Sequence, residues 1–143
     1  MKEEIEFLEY IYQTAKMGQE SIGRLLKTRK KNDEIELTIK EQLNDYRKIA
    51  NSAKAMIERR KKKVKELGLM AKIGTYMNVK MNLLKDDSPK EVASMMIEGS
   101  KMGIEQIKKH LKEYNIVNKY VENIANRLLQ IEERNIINLK KYL

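Results

Sequence analysis

Glu132 is the residue whose type and position most directly suggest chemistry. It falls on the apolar stripe of a predicted C-terminal helix, and Asn135 follows three positions later on the same face. A carboxylate on such a stripe is costly unless it is hydrogen-bonded, paired or bound to a metal. We therefore expect a polar cluster inside the protein and, as the alternative, a metal site that uses Glu132. The expected cluster consists of Gln19, Gln42, Tyr46, Glu132 and Asn135.

His110 is the chain's only histidine, and the chain has no cysteine. These counts exclude a thiolate zinc site, a disulfide framework and any metal site that needs two imidazoles from one chain. We expect His110 to be a half-exposed packing residue at the edge of a helix stripe. Glu132 and His110 are thus the metal-ligand candidates, and no metal is expected. No grouping of serine, histidine and acid and no glycine-rich phosphate motif is present, so we predict no catalytic residue and no cofactor.

A run of basic residues is the third feature that could have a chemical role. Residues 54–65 carry seven basic side chains against a single acid, Glu58. The run is expected at the C-terminal end of a helix, where cations complement the helix dipole. Neutralisation by Glu3, Glu4, Glu6 and Glu9 from a neighbouring helix is the favoured interpretation, and binding of nucleic acid or another polyanion is the alternative. The candidate patch consists of Arg59, Arg60, Lys61, Lys62, Lys63 and Lys65.

The composition indicates a single soluble domain. The chain has 143 residues with 36% charged side chains, a net charge of +9, six glycines and one proline, which argues against a turn-rich β-sandwich. The N-terminal residues lack the apolar core of a signal peptide, and no stretch approaches the ~18 apolar residues of a transmembrane helix. We expect a cytoplasmic protein with no membrane partner.

Apolar residues recurring every three or four positions predict an all-α chain. Ser88 is the expected N-cap of the third long helix, with Pro89 at its first position and Glu91 placed to close a capping box. Asn32 or Asp33 is expected to cap the second helix. The predicted helices span about 2–30, 32–67, 70–85, 88–113 and 118–143 in one domain. Short links make the first two long helices one hairpin and the last two another, with residues 70–85 as a crossover helix.

The two hairpins share an internal repeat. Residues 15–22 match residues 100–107 at five of eight positions, and the inner stripes of the second and fourth long helices superpose at an offset of 86. Gly18 and Gly103 fall mid-helix on inner stripes, where glycine costs about 1 kcal/mol relative to alanine. We expect that these two glycines permit a close approach of helices.

The duplicated hairpin and the Met-Gly-x-Glu elements at 17–20 and 102–105 resemble uncharacterised ferritin-like bundle proteins of spore-forming bacteria. The resemblance covers essentially the whole chain and implies a ferritin-like four-helix bundle, but no settled activity. Ferritin-like metalloproteins take one Glu from each of two helices and a Glu-x-x-His pair from each of the others. Helical phase directs Glu20 and Glu105 to water. Asn135 stands where the histidine after Glu132 would be, and helix two offers Tyr46 and Ile49 at the equivalent positions.

These observations lead to one functional expectation and two alternatives. We expect a non-enzymatic, metal-independent interaction or structural protein that binds an unknown protein partner or self-associates as a homodimer. The first alternative is a degenerate ferritin-like metal-binding protein that uses Glu132. The second is polyanion or nucleic-acid binding through the basic end of helix two, which is not favoured because aromatic residues are not interleaved with the basic ones.

Overall fold

The computed structural model describes residues 2–29, 31–60 and 86–143, and these residues are all-α, as predicted. No strand occurs in these three stretches. The predicted helix over 70–85 and the predicted end of the second helix at Leu67 lie outside the described residues. The helices are α1 (Lys2–Arg29), α2 (Glu34–Arg59), α3 (Pro89–Glu113) and α4 (Lys119–Leu139), and a 3₁₀ turn over Lys140–Tyr142 follows α4.

Contacts at the helix ends define how the helices are arranged. Arg60, directly after α2, bonds Glu4 in the first turn of α1, so α1 and α2 form an antiparallel hairpin. Lys31, between α1 and α2, pairs with Asp87 at 2.6 Å, which places the start of α3 at the opposite end of that hairpin. Helices α2 and α3 therefore run in the same direction. The second described stretch therefore ends at one end of the bundle, at Arg60, and the third begins at the other end, at Asp86.

The core lies between the four helices and receives large side chains from each of them. Ion pairs and hydrogen bonds join α2 to α4 at their edge, where Asp45 meets Arg134 at 2.6 Å. Aromatic rings join α1 to α3 instead, with Phe7 5.5 Å from Tyr114 between ring centroids. The largest fully buried side chains are Phe7, Leu8, Ile11, Ile35, Ile39, Ile49, Ile57, Val92, Ile107, Val121, Leu128 and Leu139.

Arg29 ties the end of α1 to the starts of the next two helices. Its side chain is fully buried, binds both carboxylate oxygens of Asp33 at 2.7 Å, and donates from Nε to the carbonyl oxygen of Asp87 at 2.7 Å. The hydrogen bond from Arg29 lowers the pKa of Asp33. Asp33 is the N-cap residue of α2 but makes no side-chain cap bond, since its carboxylate faces Arg29. We call Arg29, Asp33 and Asp87 the end clamp.

The predicted start of α3 differs from the structure in one hydrogen bond. Ser88 is the N-cap and accepts from the backbone N–H of Glu91 at 3.4 Å, with Pro89 next in the chain. The backbone N–H of Ser88, which a capping box would bond to Glu91, instead donates to the Asp86 carboxylate at 2.9 Å. The prediction of a closed capping box is therefore wrong, because the Asp86 carboxylate, two residues before Ser88, accepts the hydrogen bond that the box would give to Glu91.

Candidate functional site

Glu132 lies inside the bundle, on the face of α4 that also buries Leu128, Asn135 and Leu139. Its side chain is only 3% exposed. The spacing of these four residues repeats the helical period, so one side of α4 carries three kinds of group into the core: alkyl, carboxyl and amide. The acid is thus part of the packed interior and not of the helix surface.

Tyr46 is the hydrogen-bond partner of Glu132 on the other hairpin. Its phenol hydroxyl donates a hydrogen bond to the Glu132 carboxyl oxygen Oε1, and the Asn135 amide donates to the same hydroxyl at 3.3 Å. All three side chains are buried. Because Tyr46 belongs to α2 and the other two residues to α4, the bonds cross between the two hairpins. We call Tyr46, Glu132 and Asn135 the polar triad.

Burial dominates the electrostatics of the triad. It raises the pKa of Glu132 from an ordinary 4.5 to about 7, while hydrogen bonds from Tyr46 and Ser100 lower it in part. Burial also raises the pKa of Tyr46 well above its usual range, and the adjacent Glu132 charge adds to that rise. On α1, burial and then the Glu132 charge raise the pKa of Tyr10 to about 12. The carboxyl is the one group of this set that changes charge near neutral pH.

Two glycines leave room for the triad. A Cβ added at Gly103 would lie 2.5 Å from Glu132 Oε2, and one added at Gly18 would lie 3.0 Å from the Tyr46 ring. The nearest atoms at both positions are side-chain atoms. Each glycine thus admits one side chain of the hydrogen-bonded pair, and the expected close approach of the helices themselves stays a prediction. Gly23 and Gly99 have nothing within 4 Å of such a Cβ.

The two glutamines of the expected cluster lie in different places. Gln42 is buried one turn before Tyr46 on α2, and its Nε2 has no hydrogen-bond partner in the described part of the chain. Gln19 is half-buried, and no hydrogen bond joins it to the triad within the described residues. Within the described residues neither Gln19 nor Gln42 is hydrogen-bonded to the triad, so the bonded part of the expected cluster is Tyr46, Glu132 and Asn135.

Two residues that were absent from the expected cluster contact the Glu132 environment. Ser100 on α3 is buried and bonds both Tyr46 and Glu132, and its place on the inner stripe of α3 could have identified it. Tyr10 on α1 is buried too, and its charge interaction with Glu132 places it near the carboxyl. The run of bulky residues around Tyr10 indicates that α1 buries a broad face. A prediction based on a single narrow apolar stripe misses the residues at the sides of that face.

The donor set around Glu132 does not fit a ferritin-type metal centre. Its neighbours are a phenol, an alcohol and an amide, while Glu20 and Glu105 are exposed. Within residues 2–29, 31–60 and 86–143, no three His, Cys, Asp or Glu side chains cluster as metal ligands would. Iron of the ferritin type needs several carboxylates and imidazoles converging on one point.

His110 is half-buried and packs against aromatic rings. Its ring stacks on Tyr10 with 3.7 Å between centroids and an angle of 8°, and its Nδ1 lies 2.8 Å from the carbonyl oxygen of Gln106. The Tyr114 ring is also stacked with the His110 ring, with 5.9 Å between their centroids. The ring therefore contributes to the contact between α1 and α3, and its position beside Tyr10 does not bring it into a set of acidic ligands.

The structure describes part of the candidate polyanion patch. Arg59 is exposed, whereas Arg60 bonds Glu4 through Nη2 at 3.2 Å and the carbonyl oxygen of Met56 through Nη1 at 2.8 Å. Its contact with Glu4 is of the kind expected for neutralisation within the chain. The other members of the patch, Lys61, Lys62, Lys63 and Lys65, lie outside the described residues.

The described residues thus form an all-α helical bundle with a buried acid bonded to a tyrosine of the other hairpin. None of the helices in the described part is long and apolar enough to cross a membrane. Comparison of the chain with protein-family models, curated proteins and solved structures finds no match.

Proposed function

We propose that this chain is a ferritin-like helical bundle that works without metal or catalysis, as a structural or protein-interaction module. The observation that carries the proposal is the state of Glu132. It accepts a hydrogen bond from Tyr46 across the hairpins, and its surroundings supply neither a second carboxylate nor an imidazole in the described residues. Polar atoms arranged in this way fix the pairing of helices, whereas a metal centre would need convergent ligands.

Topology supports the ferritin-like part of the proposal. Ferritin-like bundles join two antiparallel hairpins by one long connection along the bundle. Here Arg60 lies at the end marked by Glu4, and Asp87 lies at the end marked by Arg29, so the second hairpin begins where such a connection would deliver it. The proposed duplication is supported as well. Gly18 makes room for Tyr46, and Gly103, 85 residues later, makes room for Glu132, 86 residues after Tyr46.

The proposed interaction is self-association through the outer face of α2 and α4. Leu37 is 64% exposed and Ile137 is 68% exposed, and each lies within one turn of a charged residue of a cross-helix ion pair, Glu34–Lys141 or Asp45–Arg134. A two-fold interface brings the same patch of both subunits together. A face with exposed aliphatic groups beside charges of both signs suits that requirement, because each charge can meet its opposite in the second copy.

Metal analysis tests the central claim. Protein purified without chelator is expected to carry far less than one equivalent of iron, manganese or zinc. Adding these ions should shift the melting temperature equally in the wild type and in Glu132→Gln. Stoichiometric metal that is retained by the wild type and lost in Glu132→Gln would overturn the proposal in favour of the degenerate metal-binding alternative.

Sedimentation tests the self-association. The wild type is expected to show a concentration-dependent dimer, and Leu37→Lys with Ile137→Lys should give a folded monomer. Val117→Lys is the matched control, since Val117 is 80% exposed and lies in the link between α3 and α4. A wild type that stays monomeric at millimolar concentration would exclude the homodimer.

A further inference from the structure

Glu132 is enclosed by all four helices, and none of them supplies a cation. From α1 it faces Tyr10, from α2 Tyr46, and from α3 Ser100 and Gly103. The titratable groups among these are the two phenols. In residues 2–29, 31–60 and 86–143, no ion pair involves Glu132.

Its own helix offers no charge either. The positions one turn before and after Glu132 on α4 are Leu128, Leu129, Asn135 and Ile136. The charged residues next to it in sequence, Glu133 and Arg134, are exposed. A carboxylate in such a place would be buried without a counter-ion, which proteins avoid by keeping the group neutral or by opening a path to water.

We propose that Glu132 is a proton-controlled lock, which holds α3 against α4 while the carboxyl is neutral and loosens that contact when it ionises. The lock assigns the movement to α3, because the carboxyl lies directly against Gly103 of that helix. The carboxyl oxygen Oε2 lies so close to this position that no side chain fits between, and the neighbouring α3 contact is the small Ser100. Helices α2 and α4 are held by further bonds, such as Asp45–Arg134, that do not depend on the carboxyl.

The sign of the effect follows from the two states of the group. The pKa of Glu132 is raised in the folded protein to about 7 from an ordinary 4.5. Its contribution to stability is therefore complete below about pH 4.5 and is lost as the pH rises to about 7, because the unfolded chain releases the proton first. Asp33 and Asp87 have lowered pKa values and act in the opposite direction, so the effect of Glu132 must be measured against a variant that lacks only its titration.

Urea unfolding between pH 4.5 and 8 provides that measurement. The unfolding equilibrium constant of the wild type, divided by that of Glu132→Gln, should rise by up to about tenfold per pH unit between about pH 5 and 6.5, level off above about pH 7, and increase on the order of 10²-fold in total. Glutamine keeps the shape of the side chain and still accepts the bond from Tyr46. Glu133→Gln removes the adjacent exposed acid and should follow the wild type. A ratio that does not change with pH would overturn the proposal.

Two further measurements keep the proposal falsifiable if Glu132→Gln fails to fold. Carbon-13 spectra of the wild type should show one glutamate carboxyl that titrates near pH 7, and the side-chain methylene protons of the same glutamate should show a nuclear Overhauser contact to the Tyr46 ring. Amide hydrogen exchange, corrected for the intrinsic pH dependence, should accelerate more in α3 around Gly103 between pH 6 and 8 than in α2, where exchange follows only the loss of global stability. Titration of every glutamate in the ordinary range, or equal acceleration in both helices, would refute the lock.

Discussion

Gly103→Ala tests whether the glycine of α3 is present to admit Glu132. A Cβ at this position would lie 2.5 Å from Oε2 and 3.1 Å from Cδ of the Glu132 carboxyl group, closer than atoms pack without a shift. Gly99 lies one turn earlier on the same helix with nothing within 4 Å of an added Cβ. Gly99→Ala is therefore a matched control, because it makes the same chemical change in the same helix without the clash.

The expected magnitudes come from two opposing effects. Alanine in a helix interior is favoured over glycine by about 1 kcal/mol, so Gly99→Ala should raise the free energy of unfolding by that amount. Gly103→Ala gains the same term but displaces a buried, hydrogen-bonded carboxyl, which costs about 1–3 kcal/mol as overpacking does. The two variants should thus differ by about 1–3 kcal/mol, and the Gly103 variant should be no more stable than the wild type.

Chemical denaturation at pH 6 measures the difference, and a double-mutant cycle assigns its cause. Removing the carboxyl with Glu132→Ala removes the atom that the new methyl group meets, so Gly103→Ala should then stabilise about as much as Gly99→Ala does. Equal stability of the two single variants would refute the reasoning. So would a penalty for Gly103→Ala that persists in the Glu132→Ala background.

Two further predictions concern the helix ends. Ser88→Ala removes the side-chain acceptor at the start of α3 and should lower the free energy of unfolding by about 0.5–2 kcal/mol, whereas Ser94→Ala at an exposed site should leave denaturation curves almost unchanged. Arg29→Met fills the same buried space without charge and strands the partly exposed Asp33, so we expect a loss of about 2–3 kcal/mol. Lys27→Met on the exposed side of α1 is its control, and thermal melts in which both methionine variants match the wild type would contradict the end clamp.

Helical periodicity, together with the capping signals at Ser88 and Pro89, predicted the four long helices and the inward position of Glu132. The stripes of α2 and α4 contain Tyr46, Glu132 and Asn135 at core positions because a period of 3.6 residues fixes which side of a helix a residue occupies. The direction of each helix and the contacts at its ends depend on which neighbours meet, and a single stripe does not carry that information. The Ser88 backbone N–H thus bonds Asp86 and not Glu91. The Asp33 carboxylate binds Arg29 and does not cap the N-terminus of α2.

The hydrogen bonds of the triad could be anticipated only in part. The offset of 86 equates Tyr46 with Glu132, yet it does not say that two equivalent positions touch. They touch because the two hairpins pack face to face and because each residue has a glycine opposite it. The burial of Tyr10 near Glu132 was not predicted, because a helix with neighbours on more than one side buries a wider face than a single apolar stripe indicates.

The pairing of Tyr46 with Glu132 also explains why a polar group is tolerated in the core. Four amphipathic helices with similar stripes could slide by one turn and still bury alkyl groups. A slide of α4 past α2 would separate the phenol from the carboxyl and leave both buried without a partner, which costs about 1–3 kcal/mol for each group. Such a slide changes the burial of the surrounding apolar residues little. The polar bond therefore contributes more to the choice of helix register than to total stability. Its sensitivity to protonation follows from the same burial that makes it selective.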